Sequence, residues 1–420
     1  MNILLINHYA GSPDMGMEFR PYYMAREWIK EGHRVFIIAG DYSHLRKNNP
    51  VVNRDFEKEN IDGIHYIWIK TGVYEGNGAK RAVSMARFVS KLWIKAERIA
   101  KGLKPDVVIA SSTYPLDTYI ARRIRYFSKA SYIHEIHDMW PVTLMELSHM
   151  PKFHPFIVMM QIAENSFCKY ADQIVSLPSA TKDYLMEHGM AEEKFVSITN
   201  GICLDEWENK ADLPKEHESL LRKLKGENKF IIGFFGSHTK SYALTYLIDA
   251  LREIQNNQVC AVLVGDGIEK KNLMQYASDI KDRVYFLPLI EKRAIPALVA
   301  EFDAIYVGAL NNRMFRFGIS MNKLFDAMMS EKPVLYAVNA PNNYIEEYHC
   351  GISVEPENVS ALKTGIQDML SLSDEERTHM GRNGKKAVLE NFQYGVLAKR
   401  FLNEMGQLRC KNRKVKNNLL

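Results

Sequence analysis

The sequence predicts an α/β protein made of two doubly wound, Rossmann-like domains that face each other across a cleft. Short β-branched or apolar runs alternate with amphipathic segments of helical length along the chain. This alternation starts again in the second half, after a charged segment rich in Lys and Glu. At 420 residues the chain is too long for one ordinary core and suits two domains of about 200 residues each. Strands alternating with helices indicate parallel sheets covered on both faces.

Seven strands are predicted in the first half and six in the second, because each run has the length and composition of a buried strand. The first seven are 3–6, 35–39, 64–69, 107–110, 132–136, 173–176 and 195–198. The other six are 230–235, 261–264, 284–286, 304–307, 334–337 and 352–354. We expect both sheets to be parallel throughout.

The domain boundary is predicted at an Asn-Gly turn signal, Asn200-Gly201, which follows the seventh strand. We therefore assign residues 1–203 to an N-terminal domain and 204–392 to a C-terminal domain. Residues 393–420 are expected to form a helix that crosses back to the N-domain, followed by a basic tail at 411–416.

Composition points to a globular protein of the cytosol. The five cysteines are odd in number and contain no Cys-x-x-Cys pair, which is typical of reduced thiols and not of a disulfide framework or zinc ribbon. Beyond the N-terminal segment, we note an apolar run at 156–160. It is far shorter than the roughly 20 residues that span a bilayer. We expect a cytoplasmic protein, either soluble or peripherally attached.

A basic helix is predicted at 79–104. Its apolar residues point broadly to one side, and the residues of a cationic stripe lie within about 60° of one direction on the other side. That stripe consists of Lys80, Arg87, Lys91, Lys95, Arg98 and Lys101. An ordinary solvated face and contact with a membrane surface or polyphosphate are both open at this point. Nucleic acid is a weaker alternative, because no nucleic-acid motif accompanies the charge.

Glycine-containing turns follow a strand near the start of each half. Gly16 lies between the first strand and a helical pattern, where backbone N–H groups could approach an anion. In the second half Gly236 ends a strand, and His238 and Lys240 follow where they could meet phosphate. Neither turn is a Gly-x-Gly-x-x-Gly or Walker loop, so an ordinary turn is the alternative reading of each.

The segment 316–328 has the pattern of a diphosphate and ribose site. Ser320 could cap a helix that carries Lys323 in its first turn and Asp326 one turn later. Arg316 and Asn322 lie beside them in sequence. The helix N-terminus and the lysine suit a diphosphate, and the carboxylate suits a ribose diol. A solvent-facing acid is the alternative for Asp326.

His137 and Asp138 follow a predicted strand, at the edge where open α/β sheets bind ligands. A metal site is not expected there, because His134 and His137 point to opposite faces of a strand and do not fit the His-Glu-x-x-His helix motif.

These motifs, in this order along essentially the whole chain, resemble glycosyltransferase family 4. The segments that carry the resemblance are 200–205, 263–269, 323–326, 332–334 and 381–392. The segments 7–13 and 20–23 look like the bacterial transferases that add fucosamine-type sugars in O-antigen and capsule assembly.

The resemblance implies a GT-B fold and a retaining, metal-independent transfer without a cofactor. The donor would be a nucleotide sugar, preferably UDP-linked, and the acceptor would lie on the N-terminal domain. It implies that His137 contacts the donor sugar, Gly16 lies near the diphosphate and Asp326 binds ribose. With the basic helix, it favours a polyprenyl-diphosphate-linked saccharide acceptor at the inner face of the membrane.

Three positions depart from the family pattern. Gly318 stands where the first acid of the Glu-x7-Glu motif is usual, and Ser237 and Tyr242 replace the usual Arg and Lys. Lys323 and Lys240 are therefore expected to supply the charge at the diphosphate. An epimerase of UDP-linked amino sugars and a non-catalytic membrane-docking partner remain as alternatives, and a dinucleotide oxidoreductase is the weakest.

Overall fold

The computed structural model describes residues 1–16, 19–76 and 78–417, with side chains up to residue 410. It divides into two units, 1–200 with 394–420, and 201–393. The sequence analysis placed the first boundary after residue 203 and the second after residue 392. The side chains of the basic tail 411–416 lie outside the described residues.

The first unit is built on an eight-stranded sheet of spatial order β3-β4-β2-β1-β5-β6-β7-β8. The strands are β1 (Asn2–Ile6), β2 (Arg34–Gly40), β3 (Glu57–Ile61), β4 (Ile64–Ile69), β5 (Val107–Ala110), β6 (Ser131–Ile136), β7 (Gln173–Ser176) and β8 (Phe195–Ser197). The helices are α1 (Phe19–Lys30), α2 (Ala79–Leu103), α3 (Asp117–Ser128), α4 (Val142–Leu147), α5 (Pro155–Tyr170) and α6 (Lys182–Glu187).

The edge strand β3 corrects the expectation of a wholly parallel sheet, because it pairs antiparallel with β4. Its residues are polar and mostly exposed, so it has no apolar run that would predict a strand. The turn at Asp62-Gly63, with positive φ at both residues, joins the two strands as a hairpin.

The second unit contains a six-stranded sheet of order β11-β10-β9-β12-β13-β14, and every pairing in it is parallel. The strands are β9 (Phe230–Phe235), β10 (Val259–Val264), β11 (Val284–Leu287), β12 (Ala304–Gly308), β13 (Val334–Ala337) and β14 (Gly351–Ser353). The helices are α7 (Leu204–Glu208), α8 (Lys215–Gly226), α9 (Leu244–Glu253), α10 (Lys270–Tyr276), α11 (Ile295–Ala300), α12 (Asn322–Met329), α13 (Tyr344–Glu347), α14 (Val359–Ser371) and α15 (Asp374–Asn391).

The last helix, α16 (Tyr394–Asn417), packs on α1 of the first unit. The Phe401 ring lies edge-on to Trp28 with centroids 5.3 Å apart, and both side chains are fully buried. Arg409 forms an ion pair of 2.7 Å with Asp106. In the part of the chain that is described, no helix has the length and apolar character that a bilayer span requires.

Candidate functional site

Each sheet has one point where its strand order reverses, and ligands of open α/β sheets bind at the carboxyl ends of the strands there. In the first unit this point lies between β1 and β5, and in the second between β9 and β12. The sequence-predicted site residues cluster near both points, so we describe a site in each unit.

His137 is the central side chain of the first-unit site and lies just beyond the end of β6. Its Nε2 lies 2.8 Å from the Ser111 hydroxyl, which follows β5, and 3.1 Å from the Glu135 carboxylate. A carboxylate can only accept a hydrogen bond, so Nε2 carries a proton that faces Glu135. The contacts with Ser111 and Glu135 thus hold the imidazole in one orientation.

Glu135 is a buried carboxylate that sequence reasoning did not single out. Its Oε1 accepts bonds of 3.1 and 3.0 Å from the Arg20 guanidinium, and its Oε2 accepts the Ser111 hydroxyl at 2.6 Å. Burial opposes ionisation, but Arg20, His137 and Ser111 outweigh it and hold the pKa of Glu135 well below its usual range. The signal that could have identified Glu135 is that a charged residue lies within β6, a strand that is buried along its whole length.

The other residues predicted for the first-unit site, Asp138 and Gly16, are not part of the hydrogen-bond network of His137. Asp138 is exposed and accepts a 3.2 Å bond from the Thr143 hydroxyl. Gly16 has φ 89°, and a side chain there would meet the Lys47 backbone nitrogen at 3.0 Å. The turn therefore requires glycine for its own packing. Residues 17 and 18 of the predicted loop lie outside the described residues.

Lys323 is the central side chain of the second-unit site and lies in the first turn of α12. Its Nζ lies 3.2 Å from the centroid of the Tyr242 ring and 4.3 Å from that of Phe234. Within the described residues this buried nitrogen has no hydrogen-bond partner. Burial lowers the pKa of Lys323 to about 7. A desolvated cation without a counter-charge is the strongest electrostatic anomaly of this unit.

Three glycines surround the Lys323 ammonium or the turns beside it. A Cβ at Gly236, where φ is 130°, would lie 2.9 Å from Nζ. A Cβ at Gly265 would lie 1.9 Å from the Gly236 oxygen, and one at Gly267 would lie 2.4 Å from the His238 oxygen. Backbone and ammonium therefore approach each other closely at the ends of β9 and β10.

Two predictions around this site need correction. Ser320 does not cap α12, because the N-cap residue is Met321 and no side-chain cap bond forms there. His238 does not face outward toward a phosphate: its ring is fully buried, and burial together with Lys270 and Lys323 lowers its pKa to about 4. A neutral buried ring offers no positive charge to an anion.

The remaining second-unit predictions are spread around α12. Asn322, Lys240 and Arg316 are exposed, and the Arg316 guanidinium lies 4.2 Å from the Phe317 ring centroid. The Ile319 N–H, just before α12, donates to the Asn342 amide oxygen at 2.9 Å. The amide of Asn342 fixes the entry into α12 and was not predicted.

Asp326 lies one turn after Lys323 and is 9% exposed. Burial, opposed by the nearby Lys292, raises its pKa to about 6. Lys292 itself forms a 3.0 Å ion pair with Glu206. The described residues contain no group of three His, Cys, Asp or Glu side chains placed to hold a metal ion.

Comparison with known sequences matches both halves of the chain to models of glycosyltransferase families. Residues 15–206 match the model described as Glycosyltransferase Family 4, and residues 217–387 match the model described as Glycosyl transferases group 1. The chain belongs to the GT-B glycosyltransferases. The fucosamine-type resemblance stays a prediction.

One curated relative of this glycosyltransferase is an uncharacterized glycosyltransferase of Methanocaldococcus jannaschii. It is 22% identical over 239 residues, which cover 56% of this chain and 58% of the relative. The chain thus spans a little over half the length of the curated relative it matches.

Solved structures share the fold of the glycosyltransferase over nearly its whole length. Anabaena HepE in complex with UDP and glucose is 17% identical, with a TM-score of 0.65 over 97% of this chain and 100% of HepE. Sucrose-phosphate synthase of Thermosynechococcus elongatus is 16% identical, with a TM-score of 0.72 over 98% and 99% of the two chains. These likenesses confirm the predicted GT-B fold.

Proposed function

We propose that the protein transfers a sugar, with retained anomeric configuration, from a UDP-linked donor to a saccharide carried on polyprenyl diphosphate. The donor sugar would be an N-acetylamino or deoxy sugar, and the product would serve surface polysaccharide assembly, such as O-antigen or capsule. The observation that carries the donor part of this proposal is the buried, unpartnered ammonium of Lys323.

An anion at Lys323 would supply the counter-charge that the described residues do not. The ammonium lies in the first turn of α12, where the unsatisfied backbone N–H groups and the helix dipole also favour negative charge. Glycine at position 236 lets the backbone approach the ammonium, since a Cβ there would lie 2.9 Å from Nζ. A diphosphate has the size, charge and acceptor atoms for such a site.

The position of Lys323 also explains how the site can lack the lysine that is usual in the family at position 242. The usual lysine at that position is a tyrosine here, and the Lys323 ammonium lies on the face of its ring at 3.2 Å. The positive charge is thus supplied from α12 and not from the turn after β9. The aromatic face stabilises a cation that burial otherwise destabilises.

Transfer requires the bond between the anomeric carbon and the diphosphate to break as the bond to the acceptor oxygen forms. Lys323 stabilises the charge that develops on the departing diphosphate. The acceptor hydroxyl gives its proton to the departing phosphate oxygen, so no separate enzymatic base is needed. The His137 imidazole forms a hydrogen bond with a hydroxyl of the donor sugar and orients it.

Asp326 would bind the ribose of the donor, as the family resemblance implies. Its carboxyl follows Lys323 by one helical turn, which matches the order of diphosphate and ribose in a nucleotide. Complexes of HepE with UDP and with UDP-glucose support the choice of uracil as the base.

The proposal is tested by titrating the protein calorimetrically with UDP, GDP and UDP-sugars, comparing wild type with Lys323→Met. Loss of a charge-assisted contact should weaken nucleotide affinity by about 1.5–3 kcal/mol, or roughly 10- to 150-fold. Removal of a buried charge should also raise the melting temperature of the unliganded protein.

Lys281→Met is the matched control, since Lys281 is exposed in a turn of the same unit. Its affinity and melting temperature should match wild type. Equal nucleotide binding by Lys323→Met and wild type would refute the assignment of Lys323.

A further inference from the structure

The start of α5 exposes large apolar side chains to solvent. Phe153, in the preceding loop, is 86% exposed and Ile162 is 57% exposed. Val158 and Met159 are also exposed, and Val158 lies one helical turn before Ile162 on the same face. A contiguous apolar stripe of this kind on a soluble domain marks an interaction surface.

The opposite face of α5 is also apolar, and it is this opposite face that packs into the core of the first unit. The exposed stripe is therefore a second apolar face of the same helix. Ile157, Met160, Ala163 and Phe167 are buried against the rest of the first unit. The first half of α5 is therefore apolar around its whole circumference, a pattern that requires a second apolar environment on the outside.

The exposed charge around this stripe is positive. Between residues 148 and 171 the sequence contains one acid, Glu164, and it is buried and bonded by Gln161 and Tyr184. Lys152 and Lys169 are exposed in the same interval. The segment 148–171 itself therefore presents no exposed carboxylate to an anionic partner.

The neighbouring helices extend this surface, since α3 packs on both α5 and α2. The guanidinium of Arg122 lies 3.8 Å from the Tyr170 ring centroid of α5. That of Arg123 lies 3.7 Å from the ring centroid of Trp93 on α2, which is 44% exposed. Arginine paired with an exposed aromatic ring is the side-chain combination that suits a lipid headgroup region.

A cavity of about 450 Å³ between α2 and the edge strands β3 and β4 is also lined by cations. Its cationic lining residues are Arg54, Lys58, Lys95 and Arg98. In the chain as described, none of these four side chains forms a salt bridge or a side-chain hydrogen bond. Asp55, the one acid of the lining, is already paired with Lys91 at 2.8 Å.

We propose that the layer α2-α3-α5 docks on a bilayer of anionic phospholipid. The apolar stripe of α5 enters the acyl boundary, and the cations of α3 and of the α2 cavity contact headgroup phosphates. A second copy of the chain is a poorer occupant, because a two-fold interface would place these uncompensated cations near their own copies. The inference rests on the proposed function, in which the acceptor is carried on a lipid.

The test is co-sedimentation of the full chain with vesicles of phosphatidylglycerol and phosphatidylcholine, without nucleotide or acceptor. Binding should require phosphatidylglycerol. Phe153→Gln combined with Ile162→Gln should weaken the partition coefficient about tenfold or more. The control pair Val51→Gln and Ile268→Gln, at sites 89% and 84% exposed elsewhere, should bind like wild type.

A second variant separates charge from apolar insertion. Lys95→Gln with Arg98→Gln should weaken binding to phosphatidylglycerol vesicles and make the remainder less sensitive to salt. The proposal is overturned if the α5 variant binds vesicles like wild type. It is also overturned if wild type is a dimer by sedimentation velocity and the α5 variant is a monomer. Since no sugar donor is present, neither result bears on glycosyl transfer.

Discussion

The ammonium of Lys323 gives the nucleotide site a pH dependence of predictable sign. Burial lowers the pKa of Lys323 to about 7, and an anion binds the protonated form. Affinity for UDP-glucose should therefore be highest below pH 7 and decrease up to about tenfold per unit above it. UDP-glucose suits this measurement because its diphosphate, esterified at both ends, does not titrate in that range.

Calorimetric titration between pH 6 and 9 measures this dependence, and Lys323→Met should remove it. The same residue gives the stability of the folded protein a pH dependence of the opposite sign. Its folded pKa lies below its unfolded value, so its stabilising contribution is present above the unfolded pKa and is lost as pH falls toward 7. A flat affinity profile in wild type would show that Lys323 does not contact the anion.

Arg20 and Glu135 form a buried ion pair, with side chains only 4% and 3% exposed. Arg20→Leu should destabilise the first unit by about 3–5 kcal/mol, because it removes the guanidinium that compensates the buried charge of the Glu135 carboxylate. Urea unfolding followed by circular dichroism measures the loss. Arg54→Leu, at an exposed arginine, should stay within about 0.5 kcal/mol of wild type.

Local sequence patterns predicted the central side chains of the two sites, but not the residues that hold those sites in place. Lys323 and His137 follow strand ends or begin helices, so both were predicted. Arg20 and Glu135 are 115 residues apart in sequence, and Asn342 lies 23 residues from Ile319. No local period encodes such pairings, because they arise only when the strands are placed side by side.

At the scale of elements, thirteen of the fourteen strands in the described part of the chain were predicted from apolar runs, with small shifts at their ends. The exception, β3, has the sequence EKENI and is stabilised by its pairing with β4 and not by burial. Tertiary pairing overrides weak strand propensity at such an edge. Its charged side chains also discourage pairing with another chain.

The helix α16 is predicted to be essential for the core of the first unit. Phe401→Ala should cost about 3–5 kcal/mol, because it leaves a cavity against Trp28. Thermal unfolding should show the loss in the first unit, while nucleotide binding by the second unit is retained. Phe153→Ala, at a ring that is 86% exposed, is the matched control and should melt like wild type.

At the scale of the whole molecule, the second unit has its own sheet and its own hydrophobic core within residues 201–393. A fragment of these residues should unfold cooperatively and bind the nucleotide within a few-fold of the full chain. A fragment of residues 1–200 should fail to fold stably, because Tyr23 and Trp28 lose their partners on α16. Circular dichroism melts of both fragments check this, and a stable 1–200 fragment would contradict it.

The return of α16 to the first unit also sets an order of events during synthesis on the ribosome. Residues 201–393 are translated before α16, so the second unit emerges from the ribosome before the last helix of the first unit. The Trp28 side chain, which is fully buried in the folded protein, stays uncovered until Phe401 emerges. The first unit therefore cannot complete its core until the whole second unit has emerged, although most of its residues are translated first. During this interval the nascent chain exposes the α1 side of its sheet, and a chaperone would be expected to bind there.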